Sequence, residues 1–204
     1  MAKILVLLVH GGNSESREDD NVKIREVKSN TYSSDLGKPI FSEVLDKYLD
    51  LDKFEFFSPL FPNAVDANYT EWVRFLEQIL DSNEGLFNQI ILVGHSLGTT
   101  MLQMYLSQND VNRKFGLEIL QLHLVGCCKQ EGTFKTDDNW KQIEKQIEEI
   151  YLYHSTNDLV CNFSESEYYA ANLNKAKFLK FNDRGHFDME KFPELIDNIN
   201  KAFK

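Results

Sequence analysis

The chain has 204 residues, of which 42% are hydrophobic and 12% aromatic. That length and composition suit one globular domain with a full core and argue against disorder. The formal net charge is −10 at pH 7, whereas nucleic-acid binding needs clustered Lys and Arg to contact phosphates. No apolar run approaches the ~18 residues of a membrane helix. We therefore expect neither a nucleic-acid partner nor a membrane span.

Short apolar runs alternate with amphipathic segments along the whole chain. The apolar runs predict six strands, at Lys3–Val9, Phe54–Ser58, Gln89–Val93, Glu118–Val125, Glu149–Tyr153 and Lys177–Phe181. The segments between them predict helices, at about Ile40–Tyr48, Tyr69–Leu80, Thr99–Ser107, Asp138–Glu148, Glu165–Asn172 and Phe192–Phe203. Most strands are apolar on both faces, which is typical of parallel strands covered by helices on either side. The sequence thus predicts a single α/β domain over residues 1–204, with one doubly wound, mostly parallel sheet.

Two segments interrupt this alternation. Asn13–Lys38 is polar and heavily charged, and it follows the first strand. It is longer than an ordinary βα loop, so we interpret it as a functional loop, a small hairpin or a flap. Lys129–Asn139 is a shorter excursion before the fifth strand. Because loops after the carboxyl ends of strands surround the ligand site in such sheets, both segments are expected on that side.

Three cysteines, Cys127, Cys128 and Cys161, show no zinc-site spacing and cannot all pair within one chain. This pattern favours reduced cysteines and a cytoplasmic location. The histidines and cysteines also lack close ligand spacing, so we expect no metal and no other cofactor.

The stretch "ILVGHSLGTT" at residues 91–100 places Ser96 between Gly94 and Gly98. An apolar run precedes it and a helical pattern follows, which is the strand–turn–helix context required of a G-x-S-x-G nucleophile elbow. The glycines are needed because a turn this tight leaves little room beside the serine. We interpret Ser96 as a nucleophile rather than as an inert residue of an ordinary βα turn.

A serine nucleophile needs a histidine base and an acid, in the chain order Ser, Asp or Glu, His. His10 and His95 precede the serine, and His123 lies in a predicted core strand. We interpret His154 as a structural or pocket-lining residue. His186, in "NDRGHFD" between the last strand and the last helix, is the predicted base.

Three aspartates are candidates for the acid. Asp158 follows the fifth strand, whereas Asp183 and Asp188 share a short loop with His186 and would struggle to reach its far ring nitrogen. We therefore assign Asp158 as the acid, with a turn or helix-capping aspartate as the competing interpretation.

Acyl transfer also needs backbone N–H groups that stabilise a developing oxyanion. One is predicted to be the N–H of Leu97, the residue after the serine. The other is predicted to come from "VHGGN" after the first strand, where Gly12 is the chosen donor.

Together, "HGG" at 10–12, "GHSLG" at 94–98, Asp158 in "TNDLVC" and "GHF" at 185–187 resemble an α/β-hydrolase. In its small size, its segment "FPNAVDANYTEWVRFLEQIL" at 61–80 and its lack of a long cap, the chain resembles the compact serine hydrolases of the retinoblastoma-binding-protein-9-like family. The resemblance implies a six-stranded parallel sheet in the order 2-1-3-4-5-6, with Ser96, Asp158 and His186 as the catalytic triad. An L-x-C-x-E motif is absent, since the matching stretch at 159–163 ends in Phe163. A protein partner is therefore possible but not indicated.

These residues predict hydrolysis of a small-molecule carboxylic ester or related acyl compound through an acyl-enzyme. An acyltransferase, thioesterase or lactonase would use the same residues. A non-catalytic binding protein on the same scaffold is the alternative from another class.

Overall fold

The structure is a computed structural model, and it describes residues 3–12 and 41–203. The segment predicted as a loop or flap at residues 13–38 lies outside the described residues. In chain order the elements are β1 (Ile4–Val9), α1 (Phe41–Tyr48), β2 (Phe54–Phe57), α2 (Tyr69–Ser82), β3 (Gln89–His95), α3 (Leu97–Gln108), α4 (Val111–Phe115), β4 (Glu118–Val125), β5 (Gln130–Glu131), β6 (Phe134–Lys135), α5 (Trp140–Gln146), β7 (Ile147–Ser155), α6 (Phe163–Asn172), β8 (Ala176–Phe181) and α7 (Pro193–Asn200).

The central sheet has six strands in the order β2-β1-β3-β4-β7-β8, and every neighbouring pair is parallel. This is the predicted order 2-1-3-4-5-6, because β5 and β6 form a separate antiparallel ribbon. The chain direction across the sheet reverses between β1 and β3. In sheets of this kind a crevice opens at that point, beyond the carboxyl ends of the strands.

Helices cover both faces of the sheet, as the strand pattern predicts. Side chains of β1 alternate between the core beneath α2, α3 and α5 and the core beneath α1 and α7. The first core receives Leu5, Leu7 and Val9, and the second receives Ile4, Val6 and Leu8. A strand buried on both faces in this way leaves only its ends for polar chemistry.

The element bounds differ from the sequence prediction mainly around β7. The predicted helix runs to Glu148, but α5 ends at Gln146 and β7 begins at Ile147. Ile147 pairs with Ile119 of β4, so pairing within the sheet outweighs local helix preference there. The short helix α4 and the β5–β6 ribbon were not predicted. None of the helices in the described part of the chain is long and apolar enough to cross a membrane.

Candidate active site

Ser96 lies at the turn between β3 and α3, with φ 53° and ψ −124°. A positive φ is rare for a residue other than glycine and marks local backbone strain. The Ser96 N–H donates to the carbonyl oxygen of Val125 at 3.0 Å, which holds the turn against the end of β4. The predicted tight turn between strand and helix is therefore present at Ser96, and its role as a nucleophile elbow stays a prediction.

The two glycines around Ser96 allow a close backbone approach. A Cβ atom at Gly98 would lie 2.2 Å from the carbonyl oxygen of Val9, at the end of β1. A Cβ atom at Gly94 would lie 2.9 Å from the carbonyl oxygen of Gly98. Non-bonded carbon and oxygen atoms do not approach so closely, so any side chain would push β1 and the turn apart.

His186 and Asp158, predicted from separate loops, are in direct contact. Nδ1 of His186 donates to Oδ2 of Asp158 at 2.7 Å, and both side chains are buried. The other ring nitrogen of His186, Nε2, is buried and has no hydrogen-bond partner among the described residues. The histidine thus has one nitrogen bonded to an acid and the other available to a reacting group.

Asp158 is held by backbone groups of its own loop. Its Oδ1 accepts the N–H groups of Val160 at 2.8 Å and Cys161 at 3.0 Å. Burial acts to raise the pKa of this carboxyl, but the hydrogen bond from His186 and the two backbone N–H groups lower it below its ordinary value. Asp158 is consequently a carboxylate at neutral pH.

The other two acid candidates do not replace Asp158. Asp183 is largely exposed and lies 3.4 Å from the guanidinium of Arg184. Asp188 is half-buried, and burial raises its pKa to about 6, an effect that the nearby His186 opposes and Asp158 reinforces. Asp188 is therefore an electrostatic neighbour of the His186–Asp158 pair.

The loop that carries His186 is fixed to the loop that carries Asp158, through residues that the sequence interpretation missed. Oδ1 of Asn157 accepts the N–H of Gly185 at 2.9 Å, and Oγ of Ser155 accepts the N–H of Arg184 at 3.0 Å. The Ser155 hydroxyl in turn donates to Asn157 Oδ1 at 2.6 Å. The polar stretch "HSTND" directly after an apolar strand was the available signal for this anchoring role.

His95, next to Ser96 in the chain, contacts the backbone and the ring of His186. Its Nε2 donates to the backbone carbonyl of His186 at 2.9 Å, and the two ring centroids are 4.8 Å apart. Complete burial lowers the pKa of His95 to about 3, so the ring is neutral. This contact joins the His186 loop to the turn that carries Ser96.

Gly126 is a further residue whose role the sequence interpretation missed. It follows β4 with φ +59°, and a Cβ atom there would lie 3.1 Å from Cε1 of His186. A side chain there would press against the imidazole, which would have to shift by a few tenths of an ångström. The signal in the sequence was a glycine at the carboxyl end of β4, the strand next to β3 in the sheet, because glycine allows such a close approach.

The "HGG" segment packs against the loop after β2. Nε2 of His10 accepts the N–H of Phe61 at 2.8 Å, and a Cβ atom at Gly12 would lie 2.4 Å from the carbonyl oxygen of Ala64. On the other side of the crevice, Leu97 is the first residue of α3. The first N–H groups of a helix have no partner within it, so Leu97 can offer a backbone donor.

The cysteines differ from the sequence expectation. Cys128 and Cys161 form a disulfide, whereas Cys127 is free and buried. The expectation of reduced cysteines is therefore wrong for this pair. Cys128 Sγ also lies 3.6 Å from Ser96 Oγ, so the disulfide joins the surroundings of the serine to the loop of Asp158.

We expect this disulfide to contribute roughly 3 to 4 kcal/mol to the free energy of unfolding, because it closes a loop in the unfolded chain. The two cysteines are 33 residues apart in the sequence. Thermal unfolding with and without a thiol reductant should show a lower Tm for the reduced protein. A Cys128→Ala, Cys161→Ala double variant should unfold at one temperature under both conditions. An equal Tm for oxidised and reduced wild type would contradict the expectation.

One group of possible metal ligands lies near the site. Side-chain ligand atoms of Cys128, Cys161 and Glu165 are within 4.8 Å of one another. The two sulfur atoms are bonded to each other, however, and Glu165 Oε2 accepts the N–H of Lys129 at 2.7 Å. In this state the group does not provide three open ligands, since metals bind cysteine as the thiolate.

The fold and the site define a class of protein. The model of the serine hydrolase family matches residues 62–199, and the chain belongs to this family and has the α/β-hydrolase fold. The curated serine hydrolase RBBP9 of Rattus norvegicus is 28% identical over 139 residues, which cover 66% of this chain and 70% of that protein.

Two solved structures show how widely this fold is shared. The ydeN gene product of B. subtilis superposes with a TM-score of 0.70 at 17% identity, covering 98% of this chain and 99% of that one. An esterase from Exiguobacterium antarcticum superposes with a TM-score of 0.62 at 11% identity, covering 100% and 93%. At these identities the likeness establishes the fold alone.

Proposed function

We propose that the protein hydrolyses a carboxylic ester or related acyl compound, with Ser96 as nucleophile, His186 as base and Asp158 as acid. The observation that carries the proposal is the state of His186. Its Nδ1 donates a hydrogen bond to the Asp158 carboxylate, while its buried Nε2 has no hydrogen-bond partner within residues 3–12 and 41–203. A general base of this class needs that arrangement, with one nitrogen oriented by the acid and the other able to accept a proton.

In the proposed reaction, Ser96 Oγ attacks the substrate carbonyl carbon while Nε2 of His186 accepts the hydroxyl proton. The backbone N–H groups of Leu97 and Gly12 stabilise the oxyanion, and Asp158 stabilises the imidazolium. His186 then gives the proton to the leaving alcohol, and an acyl-enzyme forms on Ser96. A water then attacks the acyl carbon while His186 takes its proton. His186 passes this proton to Ser96 Oγ as the bond between the acyl carbon and Oγ breaks, which releases the carboxylic acid and restores the free enzyme. Because Ser96 Oγ lies beside Cys128 Sγ in the structure, its hydroxyl turns towards His186 in this scheme.

The serine hydrolase family supports hydrolysis, and the ester specificity is our inference. The proposal covers residues 1–204 as one domain acting on a small-molecule acyl substrate in the cytoplasm. In the cytoplasm, reducing thiols would act on the Cys128–Cys161 disulfide. Thioesters and lactones react through the same steps and belong in the substrate panel.

The test is labelling with a fluorophosphonate probe, followed by a panel of short acyl esters, thioesters and lactones. Wild type should be labelled, and Ser96→Ala should lose both labelling and turnover. Ser107→Ala is the matched control, since Ser107 is a buried serine of α3 whose hydroxyl donates to the carbonyl oxygen of Met104. Turnover of the panel by Ser96→Ala at the wild-type rate would refute the proposal. Folded wild type that neither labels nor turns over any ester would favour a non-catalytic binding protein.

A further inference from the structure

His154 lies at the end of β7 and contacts the same carboxylate oxygen as His186. Its side chain is fully buried, and Nε2 is 3.4 Å from Oδ2 of Asp158. The same nitrogen is 3.1 Å from the backbone carbonyl oxygen of Cys161. Two imidazole rings therefore meet at one oxygen of the acid, and only one of them is accounted for by the triad.

The hydrogen-bond partners of His154 determine which nitrogen carries its proton. The Cys161 carbonyl, 3.1 Å from Nε2, can only accept a hydrogen bond, so Nε2 is protonated. The Asp158 carboxylate, 3.4 Å from the same nitrogen, favours the same tautomer. Nδ1 must then accept, and the Ser166 hydroxyl, 2.5 Å away, donates to it. Burial lowers the pKa of His154, although Asp158 opposes this effect. The ring is a neutral donor with a fixed tautomer.

His154 acts on the Asp158 carboxylate in two ways. Its N–H lies beside Oδ2, and it also fixes the carbonyl of Cys161, whose own N–H donates to Oδ1 of Asp158. Both oxygens of the carboxylate are thus linked to one ring, directly or through a single residue. His186 differs from His154 because its outer nitrogen has no partner among the described residues.

We propose that His154 is a positioning residue for the reaction: it orients the Asp158 carboxylate and takes up part of its negative charge. The inference rests on the proposed function of Ser96, His186 and Asp158. Removing the N–H donor would leave more negative charge on Oδ2 opposite Nδ1 of His186. That charge favours the imidazolium form, so the base would remain protonated up to a higher pH.

Several titratable groups surround this network. Asp158 faces both imidazoles, Asp188 and His95 act on His186, and Cys127 lies next to Ser166. Burial raises the pKa of the Cys127 thiol to about 12 and keeps it neutral. His95 is neutral as well, so among the described residues Asp158 and Asp188 are the carboxyl groups that act on His186.

The test compares His154→Leu with His154→Gln, whose amide can place an N–H near the position of Nε2. For His154→Leu we expect kcat/KM on the best ester to fall about tenfold. We also expect the acidic limb of its pH profile to move about half a pH unit upwards. His154→Gln should restore most of the lost kcat/KM and return most of the acidic limb to its wild-type position. His123→Gln, at a buried histidine bonded to Tyr153 and Gln121, should keep the wild-type limb.

An unmoved acidic limb in His154→Leu, or equal behaviour of the leucine and glutamine variants, would overturn the proposal. If His154→Leu does not fold, Ser166→Ala decides, because it removes the hydroxyl that orients the ring and should move the limb in the same direction. Fluorophosphonate labelling of each variant keeps the two proposals apart. Failure of Ser96-dependent labelling in wild type argues against the proposed function, whereas normal labelling with an unmoved limb argues against His154 alone.

Discussion

Replacement of Asp158 by asparagine is expected to lower kcat for ester hydrolysis about 10⁴-fold while leaving the fold intact. The reason lies in how the carboxylate is held. Its Oδ1 accepts the N–H groups of Val160 and Cys161, so the amide oxygen of asparagine would stay there. The amide NH₂ would then face Nδ1 of His186, which would have to be unprotonated. The proton would move to Nε2, and the base could no longer accept one from Ser96.

The measurement is steady-state hydrolysis of the best ester by purified Asp158→Asn. Asp183→Asn is the matched control, because Asp183 lies in the same loop as His186 but is largely exposed beside Arg184. The control should keep wild-type kcat. A loss of less than tenfold in Asp158→Asn would show that another group orients His186.

Replacement of Gly98 by alanine is expected to lower the free energy of unfolding by about 3 kcal/mol or more. The new Cβ atom would lie 2.2 Å from the carbonyl oxygen of Val9 and 2.7 Å from that of His10. Both are backbone atoms at the buried end of β1, so the strand itself would have to move. The same movement would displace the Ser96 turn from the loop that carries Gly12.

Denaturant unfolding of Gly98→Ala and Gly85→Ala provides the comparison. Gly85 has φ +75°, and no atom lies within 4 Å of the place that a Cβ atom would take there. Alanine at Gly85 therefore costs only about 1 kcal/mol of backbone strain. Equal destabilisation by the two substitutions would mean that the close approach at Gly98 relaxes at little cost.

The fold follows closely from the hydrophobic pattern. Runs such as Ile4–Val9 are apolar on both faces, and the structure buries every residue of that strand. The alternation with amphipathic segments was enough for the parallel sheet, and the family resemblance implied its order. The pattern could not place the start of β7, because Ile147 suits a helix locally and joins a strand only through its pairing with Ile119.

The candidate site was predictable where it depends on local sequence. The glycines of "GHSLG" are required by one tight turn, and the structure places Gly94 and Gly98 in backbone contacts that exclude a side chain. The contact between His186 and Asp158 was inferred from loop positions, and the 2.7 Å hydrogen bond is now observed. Their roles in catalysis, with those of Ser96, Leu97 and Gly12, remain predictions.

The sequence by itself determined the strand–helix alternation and the turn at Ser96, because both depend on residues that are neighbours in the chain. The tertiary structure decided the Cys128–Cys161 disulfide, the anchoring of the His186 loop by Ser155 and Asn157, and the place of His154 beside the acid. These contacts join loops at the ends of adjacent parallel strands. Parallel strands are joined by long crossover segments, so side chains that meet at the edge of the sheet are far apart in the sequence. No local sequence pattern therefore predicts that they are in contact.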